Sequence, residues 1–178
     1  MRSARCFSKI EPERERTMKK RTAFAMTAVL LLGTACGGTG TDGGQAEAVD
    51  LVSLYAAMEA KCGWEEGYMA DIEGDLLENY YPGLGEIPAK QLIAKTPAMS
   101  SDVNELVLME CEDSGGAEDA EAILQNRIDT QAGGGAWYAE SMEAWEKAEV
   151  VRQGNYVAMV ASAAHQAELT EDFNNAFE

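Results

Sequence analysis

The single histidine of this 178-residue chain, His165, is its one conventional candidate for a catalytic base. Triads of the Ser-His-Asp type need a nucleophile beside the histidine, and zinc hydrolases need several ligands at fixed spacing. Neither a Gly-x-Ser-x-Gly nor a His-Glu-x-x-His pattern occurs in the sequence. We therefore predict no catalytic residue and interpret His165 as a surface residue of the last predicted helix.

Two groups of carboxylates have the residue types that bind calcium. Asp71, Glu73 and Asp75 alternate as in a calcium-binding loop, but the glycine falls at loop position four instead of six, and position twelve is Pro82. The second group lies where a strand leads into a helix, and negative charge there complements the helix dipole. We interpret both groups as solvated surface and predict no metal ion and no cofactor. The second group consists of Glu110, Glu112, Asp113, Glu118 and Asp119.

Two cysteines, Cys62 and Cys111, belong to the part of the chain that is expected to fold. Outside the cytoplasm they could form a disulfide that closes a loop of about 50 residues, which would stabilise the fold by about 4 kcal/mol in the chain-entropy model. Buried free thiols are the alternative. Redox catalysis is disfavoured because no Cys-x-x-Cys occurs.

Aromatic residues provide the candidate recognition surface: Tyr80, Tyr81, Trp137 and Tyr138, with Trp145 as a further possibility. Core packing would account for most of them, because aromatic side chains bury large apolar areas. Any that are exposed beside acidic groups would suit a cationic or a sugar-like partner.

The charge distribution separates the start of the chain from the remainder. The formal net charge is −17, from 14 Lys and Arg against 31 Asp and Glu. Residues 1–35 hold 8 basic and 3 acidic side chains, which leaves 6 basic and 28 acidic side chains in residues 36–178. So acidic a surface repels phosphate backbones and anionic lipid headgroups, which basic residues normally bind. Nucleic acid is therefore excluded as a partner.

Residues 18–35 are typical of a signal peptide. Three basic residues at 19–21 precede a 14-residue uncharged stretch, 22–35. As a helix this stretch would be about 21 Å long, shorter than the ~30 Å hydrocarbon core, so a permanent membrane span is disfavoured. Residues 1–17 carry three acidic side chains, unlike the start of a signal peptide, and we expect translation to begin at Met18.

The sequence LGTAC at 32–36 resembles the lipobox of bacterial lipoproteins, although Gly33 stands where a leucine is usual. In those proteins the cysteine receives a diacylglyceryl group, so the resemblance implies that Cys36 anchors the chain to the outer face of the cytoplasmic membrane. The small residues Gly33 and Ala35 also suit ordinary signal peptidase, which would release a secreted protein. Residues 36–47 would form the lipidated cysteine and a flexible glycine-rich linker.

The hydrophobic pattern of residues 48–178 predicts one α+β domain after the signal peptide and linker. It contains a small, mostly antiparallel sheet of two strand pairs packed with helices. The expected helices are one that Asp50 caps, one over 64–80, one from Ala117 that the glycines at 133–135 interrupt, and one over 164–177. The expected strands are 91–99, 103–111, and the two of a hairpin, 150–153 and 156–160. Strand 91–99 is placed at a sheet edge because Pro97 lacks a backbone donor.

Taken in order, the signal ending in Cys36, the glycine-rich linker and four later segments resemble bacterial lipoproteins of the domain-of-unknown-function 4358 family. The four segments read LLENYYPGLGEI, VNELVLMEC, ILQNRIDTQ and VVRQGNYVAMVAS. The resemblance covers about residues 48–178, with departures at Cys62 and at 133–135. It implies a strand that contains Glu105 and a long helix that bears Arg127. It implies no activity, because the function of the family is unassigned.

We expect a non-enzymatic binding or interaction module at the cell surface, whose partner is a surface protein or a small ligand. The first alternative is a carboxylate-based hydrolase, or an enzyme accessory, that acts on cell-surface material. A cleft that holds two carboxyl groups, one of them buried, would favour that alternative. The second alternative is a structural or assembly lipoprotein, which a large exposed apolar patch would favour.

Overall fold

The computed structural model describes residues 48–99 and 101–178, so the predicted signal peptide, Cys36 and the linker lie outside the described residues. Within these residues the chain forms five α-helices and five β-strands, which confirms the α+β class. The helices are α1 (Leu51–Cys62), α2 (Gly74–Tyr80), α3 (Ser114–Thr130), α4 (Ala139–Glu146) and α5 (Gln166–Asn175). The strands are β1 (Met69–Asp71), β2 (Ala89–Pro97), β3 (Asn104–Cys111), β4 (Glu149–Gln153) and β5 (Tyr156–Ser162).

The five strands form one antiparallel sheet in the order β1-β2-β3-β5-β4. The sheet is therefore continuous, and the two strand pairs expected from the sequence are joined by the pairing of β3 with β5. β3 lies at the centre, and all of its residues are buried. A strand that is covered on both faces explains the nearly unbroken apolar run of this segment.

Helices cover both faces of the sheet. On one face α2, α3 and α4 pack against alternate residues of β3 such as Val107 and Met109. On the other face α1 and α5 pack against Leu106 and Leu108. Because successive side chains of a strand point to opposite faces, each face of β3 has its own core. Glu105, which has the parity of Val107, faces α3.

The predicted helix over 64–80 is wrong in its first half. Residues Met69–Asp71 form β1, and the helix begins only at Gly74. Gly67 and Gly74 adopt left-handed backbone, with φ of 82° and 54°, which interrupts a right-handed helix. β1 pairs with the last three residues of β2, so that end of β2 is not a sheet edge as predicted. Pro97 is the last residue of β2, where its missing donor removes little pairing.

The other predicted elements are confirmed. Asp50 caps α1 by accepting a hydrogen bond from the Val52 N–H at 3.1 Å. The β4–β5 hairpin turns at Gly154, whose φ of 62° suits a tight two-residue turn. The last helix buries Leu169 and Phe173.

Hydrogen bonds hold the first residues of the domain against one end of the sheet. The Gln91 side chain donates to the Val49 carbonyl and accepts from the Leu51 N–H, both at 2.9 Å. It also donates to Glu110 at 2.8 Å, and the Tyr156 hydroxyl accepts from the Val49 N–H at 3.2 Å. We call Val49, Gln91, Glu110 and Tyr156 the N-terminal clamp.

Cys62 and Cys111 are free thiols, so the disulfide considered from the sequence is not formed. Cys111 belongs to the core beneath α3, whereas Cys62 packs against the core beneath α1 and α5. The sheet lies between these two cores and separates the thiols. Burial raises the pKa of both, and with the nearby carboxylates Glu168 and Asp172 it raises the pKa of Cys62 to about 11.

Candidate functional site

A buried ion pair joins the central strand β3 to helix α3. Arg127 of α3 donates from Nε to Oε1 of Glu105 at 2.8 Å and from Nη2 to Oε2 at 2.9 Å. The fully buried Tyr81 donates its hydroxyl proton to the same Oε1 at 2.5 Å. The side chains of Glu105 and Arg127 are only 6% and 13% exposed. Burial, followed by the charge of Glu105, raises the pKa of Tyr81 well above its ordinary value, so the phenol remains a donor.

Aromatic rings surround the guanidinium of this pair. The Cζ atom of Arg127 lies 4.1 Å from the ring centre of Tyr80 and 5.4 Å from that of Trp145. Ring faces carry negative partial charge and attract the cation at these distances. Arg127 is therefore held both by a carboxylate and by ring faces.

A cleft of about 580 Å³ opens above the ion pair, where β2 ends and β3 begins. Its volume lies within the range of small-molecule sites in proteins. Aromatic and uncharged polar side chains dominate its wall. The lining residues are Tyr80, Thr96, Pro97, Asp102, Val103, Asn104, Glu105, Arg127, Gln131, Gly135, Ala136, Trp137, Tyr138, Ser141 and Trp145.

Two exposed aromatic side chains form the rim of the cleft: Trp137 is 95% and Tyr138 62% exposed. They follow the wide turn Gln131–Gly135, which separates α3 from α4. Within this turn Gly134 has a φ of 116°, a conformation that residues with side chains rarely adopt. The glycines that interrupt the predicted helix thus bring the aromatic pair to the rim.

Several polar groups of the cleft have no hydrogen-bond partner among the described residues 48–99 and 101–178. Among the residues that the structure describes, the side chains of Thr96, Gln131 and Ser141 make no hydrogen bond, and Arg127 uses only Nε and Nη2. No buried side-chain donor or acceptor in these residues lacks a partner, so these groups are open to solvent. Hydroxyls and an amide that both donate and accept are thus available to a ligand, together with Nη1 of Arg127.

The two carboxylates of the cleft are poorly placed for acid–base chemistry. The buried one, Glu105, already accepts three hydrogen bonds, which occupy three of about four lone-pair positions. The exposed one, Asp102, accepts from the Tyr68 hydroxyl at 3.1 Å. The cleft thus holds a buried and an exposed carboxylate, as the hydrolase alternative requires, but the buried one is bound to a guanidinium.

Three of the four aromatic residues predicted for a recognition surface line this cleft. Trp137 and Tyr138 form its rim, and the half-buried Tyr80 lies deeper. The prediction is wrong for Tyr81, because its ring lies fully buried in the core and its hydroxyl binds Glu105. Trp145 is buried but reaches the wall of the cleft.

The other sequence candidates lie away from the cleft. His165 immediately precedes α5, half-buried, with Nδ1 3.2 Å from Oε2 of Glu168. Asp71 pairs with Lys95 at 2.6 Å, and Glu73 and Asp75 are exposed. In residues 48–99 and 101–178 no cluster of histidine, cysteine and carboxylate side chains has the arrangement of a metal site. The same residues include no helix with both the length and the apolar character that a membrane span requires.

Neither the ion pair nor the polar wall of the cleft is among the features predicted from the sequence. The signal for the pair was present, because Glu105 and Arg127 carry opposite charges at positions whose neighbours are apolar. Glu105 alternates with Val107, and Arg127 adjoins Ile128 of the buried helical stripe. Two charges placed in apolar faces usually pair with each other. Nothing comparable marks Thr96 or Ser141, whose proximity depends on the tertiary fold.

Comparison with known proteins matches the chain to a protein family. A family model described as Domain of unknown function (DUF4358) matches residues 63–162, more than half of the chain. No curated protein and no solved structure matches the chain. The matched range contains the whole sheet and both partners of the buried ion pair. This chain therefore belongs to the DUF4358 family, as its sequence motifs suggested.

Proposed function

We propose that this protein is an extracytoplasmic, lipid-anchored binding module that holds a small ligand in the aromatic cleft without transforming it. The main support is Trp137, which is 95% exposed at the mouth of the cleft. An aromatic ring that is exposed to water lacks the stabilisation that burial would give, about 25 cal/mol per Å² of apolar area. A ligand that covers the ring would recover that energy.

The proposal that the cleft catalyses no reaction is supported by the contacts that its charged groups already make. Glu105 accepts three hydrogen bonds from Arg127 and Tyr81, which leave about one of its four lone-pair positions for a substrate. His165 lines a different hollow of the surface, near Trp64 and Tyr68. An aromatic wall with available hydroxyl and amide groups suits binding and orientation instead.

The location is supported by the sequence of residues 18–36, and it can be tested separately from binding. Mass spectrometry of the protein recovered from its native cells should find a diacylglyceryl group on Cys36 as the first residue. The Cys36→Ser variant should move from the detergent phase to the aqueous phase in detergent phase separation. An unmodified thiol at Cys36, or a chain that keeps residues 18–35, would contradict the anchor.

Binding can be tested by thermal unfolding of the full chain with a panel of neutral sugars, sugar acids, amino sugars, amino acids and choline. At about 10 mM, even a ligand with a millimolar Kd stabilises the fold measurably, by RT ln(1 + [L]/Kd). At least one compound class should raise Tm. The shift should disappear in Trp137→Ala and persist in Val52→Ala, which truncates a 64% exposed side chain of α1 outside the cleft. A panel without any Trp137-dependent shift would refute the proposed site.

A further inference from the structure

We infer that the ligand class of the aromatic cleft is a neutral sugar ring, stacked on Trp137 and bound through its hydroxyls by the cleft wall. This inference rests on the proposed function and specifies its ligand. Three properties of the described residues support it. The floor of the cleft is the Glu105–Arg127 ion pair, whose charges neutralise each other. The wall offers unpaired hydrogen-bonding groups, and the Trp137 ring at the rim is exposed.

The charges of the domain disfavour an anionic ligand. Arg127 is the basic residue of the cleft, and both oxygens of Glu105 neutralise it. All six Lys and Arg residues of 48–178 lie within ion-pair distance of a carboxylate. An anion in the cleft would therefore find no cation that lacks a carboxylate partner.

The aromatic faces of the cleft floor disfavour a cationic ligand. The guanidinium of Arg127 already lies over the ring of Tyr80 and beside Trp145. A second cation among these rings would lie near that positive charge and would compete for faces already in use. Asp102 could attract a cation, but it is exposed, so its attraction is weakened by solvent and salt.

The available hydrogen-bonding groups match hydroxyls. Thr96 and Ser141 each offer a hydroxyl, and Gln131 offers both an amide donor and a carbonyl acceptor. Nη1 of Arg127 adds donors at the floor. A sugar hydroxyl both donates and accepts, so it can satisfy each of these groups without bringing a charge into the cleft.

The exposed indole completes the match. A pyranose ring has one face made mainly of C–H groups, which is apolar, while its edge carries the hydroxyls. Laying this face on Trp137 buries apolar area on both partners and places C–H groups against a π face. Tyr138 beside it extends the aromatic surface at the rim.

The test uses sugars that share a ring and differ in charge. The full chain, in a polyoxyethylene detergent that has no sugar headgroup, is titrated at pH 6 with glucose, galactose, mannose and N-acetylglucosamine. The same titration is made with glucuronate and galacturonate as anions, and with glucosamine and galactosamine as cations. Saturation-transfer NMR reports which ligand protons touch the protein, and tryptophan fluorescence gives Kd.

At least one neutral sugar should bind more tightly than its charged counterparts, with saturation strongest on its ring C–H groups. Trp137→Ala should weaken that binding at least 10-fold, Trp137→Phe should retain most of it, and Val52→Ala should leave it unchanged. Tighter binding of the charged counterparts, or neutral binding that Trp137→Ala does not change, would overturn the inference. If only charged compounds bind in a Trp137-dependent way, the cleft remains a binding site of another class. If no sugar of any charge and no other compound of the thermal panel binds, the proposed function fails as well.

Discussion

At the scale of single side chains, the main feature of this protein is the ion pair between Glu105 and Arg127 in an otherwise apolar core. Removing Glu105 and Arg127 from water costs several kcal/mol per ion, and their bidentate contact offsets this desolvation cost only in part. A hydrophobic pair of similar volume would pack at least as well. What the ion pair adds is a fixed position of α3 on β3, and a guanidinium with one nitrogen available beneath the cleft.

Breaking this pair on one side should destabilise the fold severely. Glu105→Gln leaves the buried guanidinium without its counter-charge, and we expect a loss of about 3–5 kcal/mol in the free energy of unfolding. Replacing both partners, by Glu105→Leu with Arg127→Met, should cost clearly less than the sum of the single changes. Urea denaturation of four variants, Glu105→Gln, Glu105→Leu, Arg127→Met and the double variant, measures both effects.

The matched control is the exposed pair Lys147–Glu143, whose side chains are about two-thirds exposed. Glu143→Gln should change the free energy of unfolding by less than about 0.5 kcal/mol. Equal costs for Glu105→Gln and Glu143→Gln would show that the buried pair contributes nothing special.

A second prediction at this scale concerns the reactivity of Cys62. Its pKa of about 11, against an ordinary value of 9.0, should reduce the thiolate fraction near pH 8 about 100-fold. Alkylation by iodoacetamide, followed site by site through peptide mass spectrometry, should therefore be slow in the folded protein. The same cysteine in urea should react at the rate of a free thiol. Equal rates in the two states would contradict the raised pKa.

At the scale of elements, the wide turn Gln131–Gly135 decides whether a cleft exists. A helix continued through these residues would carry Trp137 and Tyr138 along the axis of α3, whereas the turn brings them to the cleft beside the end of β2 and the start of β3. Three consecutive glycines weaken the helix, and Gly134 adopts a backbone conformation that other residues rarely tolerate. The turn is thus the link between sequence and site.

Two glycines of this turn should respond differently to the same substitution. A Cβ atom at Gly135 would lie 2.8 Å from the Thr130 carbonyl oxygen, whereas one at Gly133 would meet nothing within 4 Å. We expect Gly135→Ala to cost about 1–3 kcal/mol and to weaken ligand binding, because the turn must shift. Gly133→Ala should be neutral or slightly stabilising. Denaturation and ligand titration of both variants test this, and similar effects at the two positions would refute it.

The elements were largely predictable where one local signal dominated. Asp50 before an apolar helical stripe, and Gly154-Asn155 between two apolar runs, each specify their structure through short-range geometry. Residues 69–71 were not predictable in this way, because the same four-residue spacing fits a helix, and their pairing with β2 is a tertiary contact. The aromatic rim was predicted in part, but hydrophobicity alone could not separate the buried Tyr81 from the exposed Trp137.

At the scale of the whole molecule, the dominant property is unbalanced charge. Residues 48–178 contain 26 acidic against 6 basic side chains. Ion pairs use all six basic groups, so most carboxylates repel one another across the surface. This charge maintains solubility and reduces the stability of the compact state.

Salt should therefore stabilise this protein. Raising NaCl from about 10 mM to about 500 mM shortens the Debye length from roughly 30 Å to below 8 Å and screens the repulsion. We expect an increase of several degrees in Tm, which calorimetry of the full chain measures directly. The surface pairs are too exposed for their weakening to reverse the effect. A Tm that falls with added NaCl would contradict this account.

The N-terminal clamp fixes the point at which the chain enters the described domain. Val49 is bound beside Glu110, near the end of β3, whereas the cleft begins at Asn104, where that strand starts. Six residues of strand separate these points by roughly 20 Å. The first described residues thus lie near one end of β3, and the cleft that Trp137 lines lies near the other end. If the domain is lipid-anchored as we propose, a long polymer such as a glycan strand outside the cell could lie across the cleft end of β3, away from the end at which the chain enters the domain.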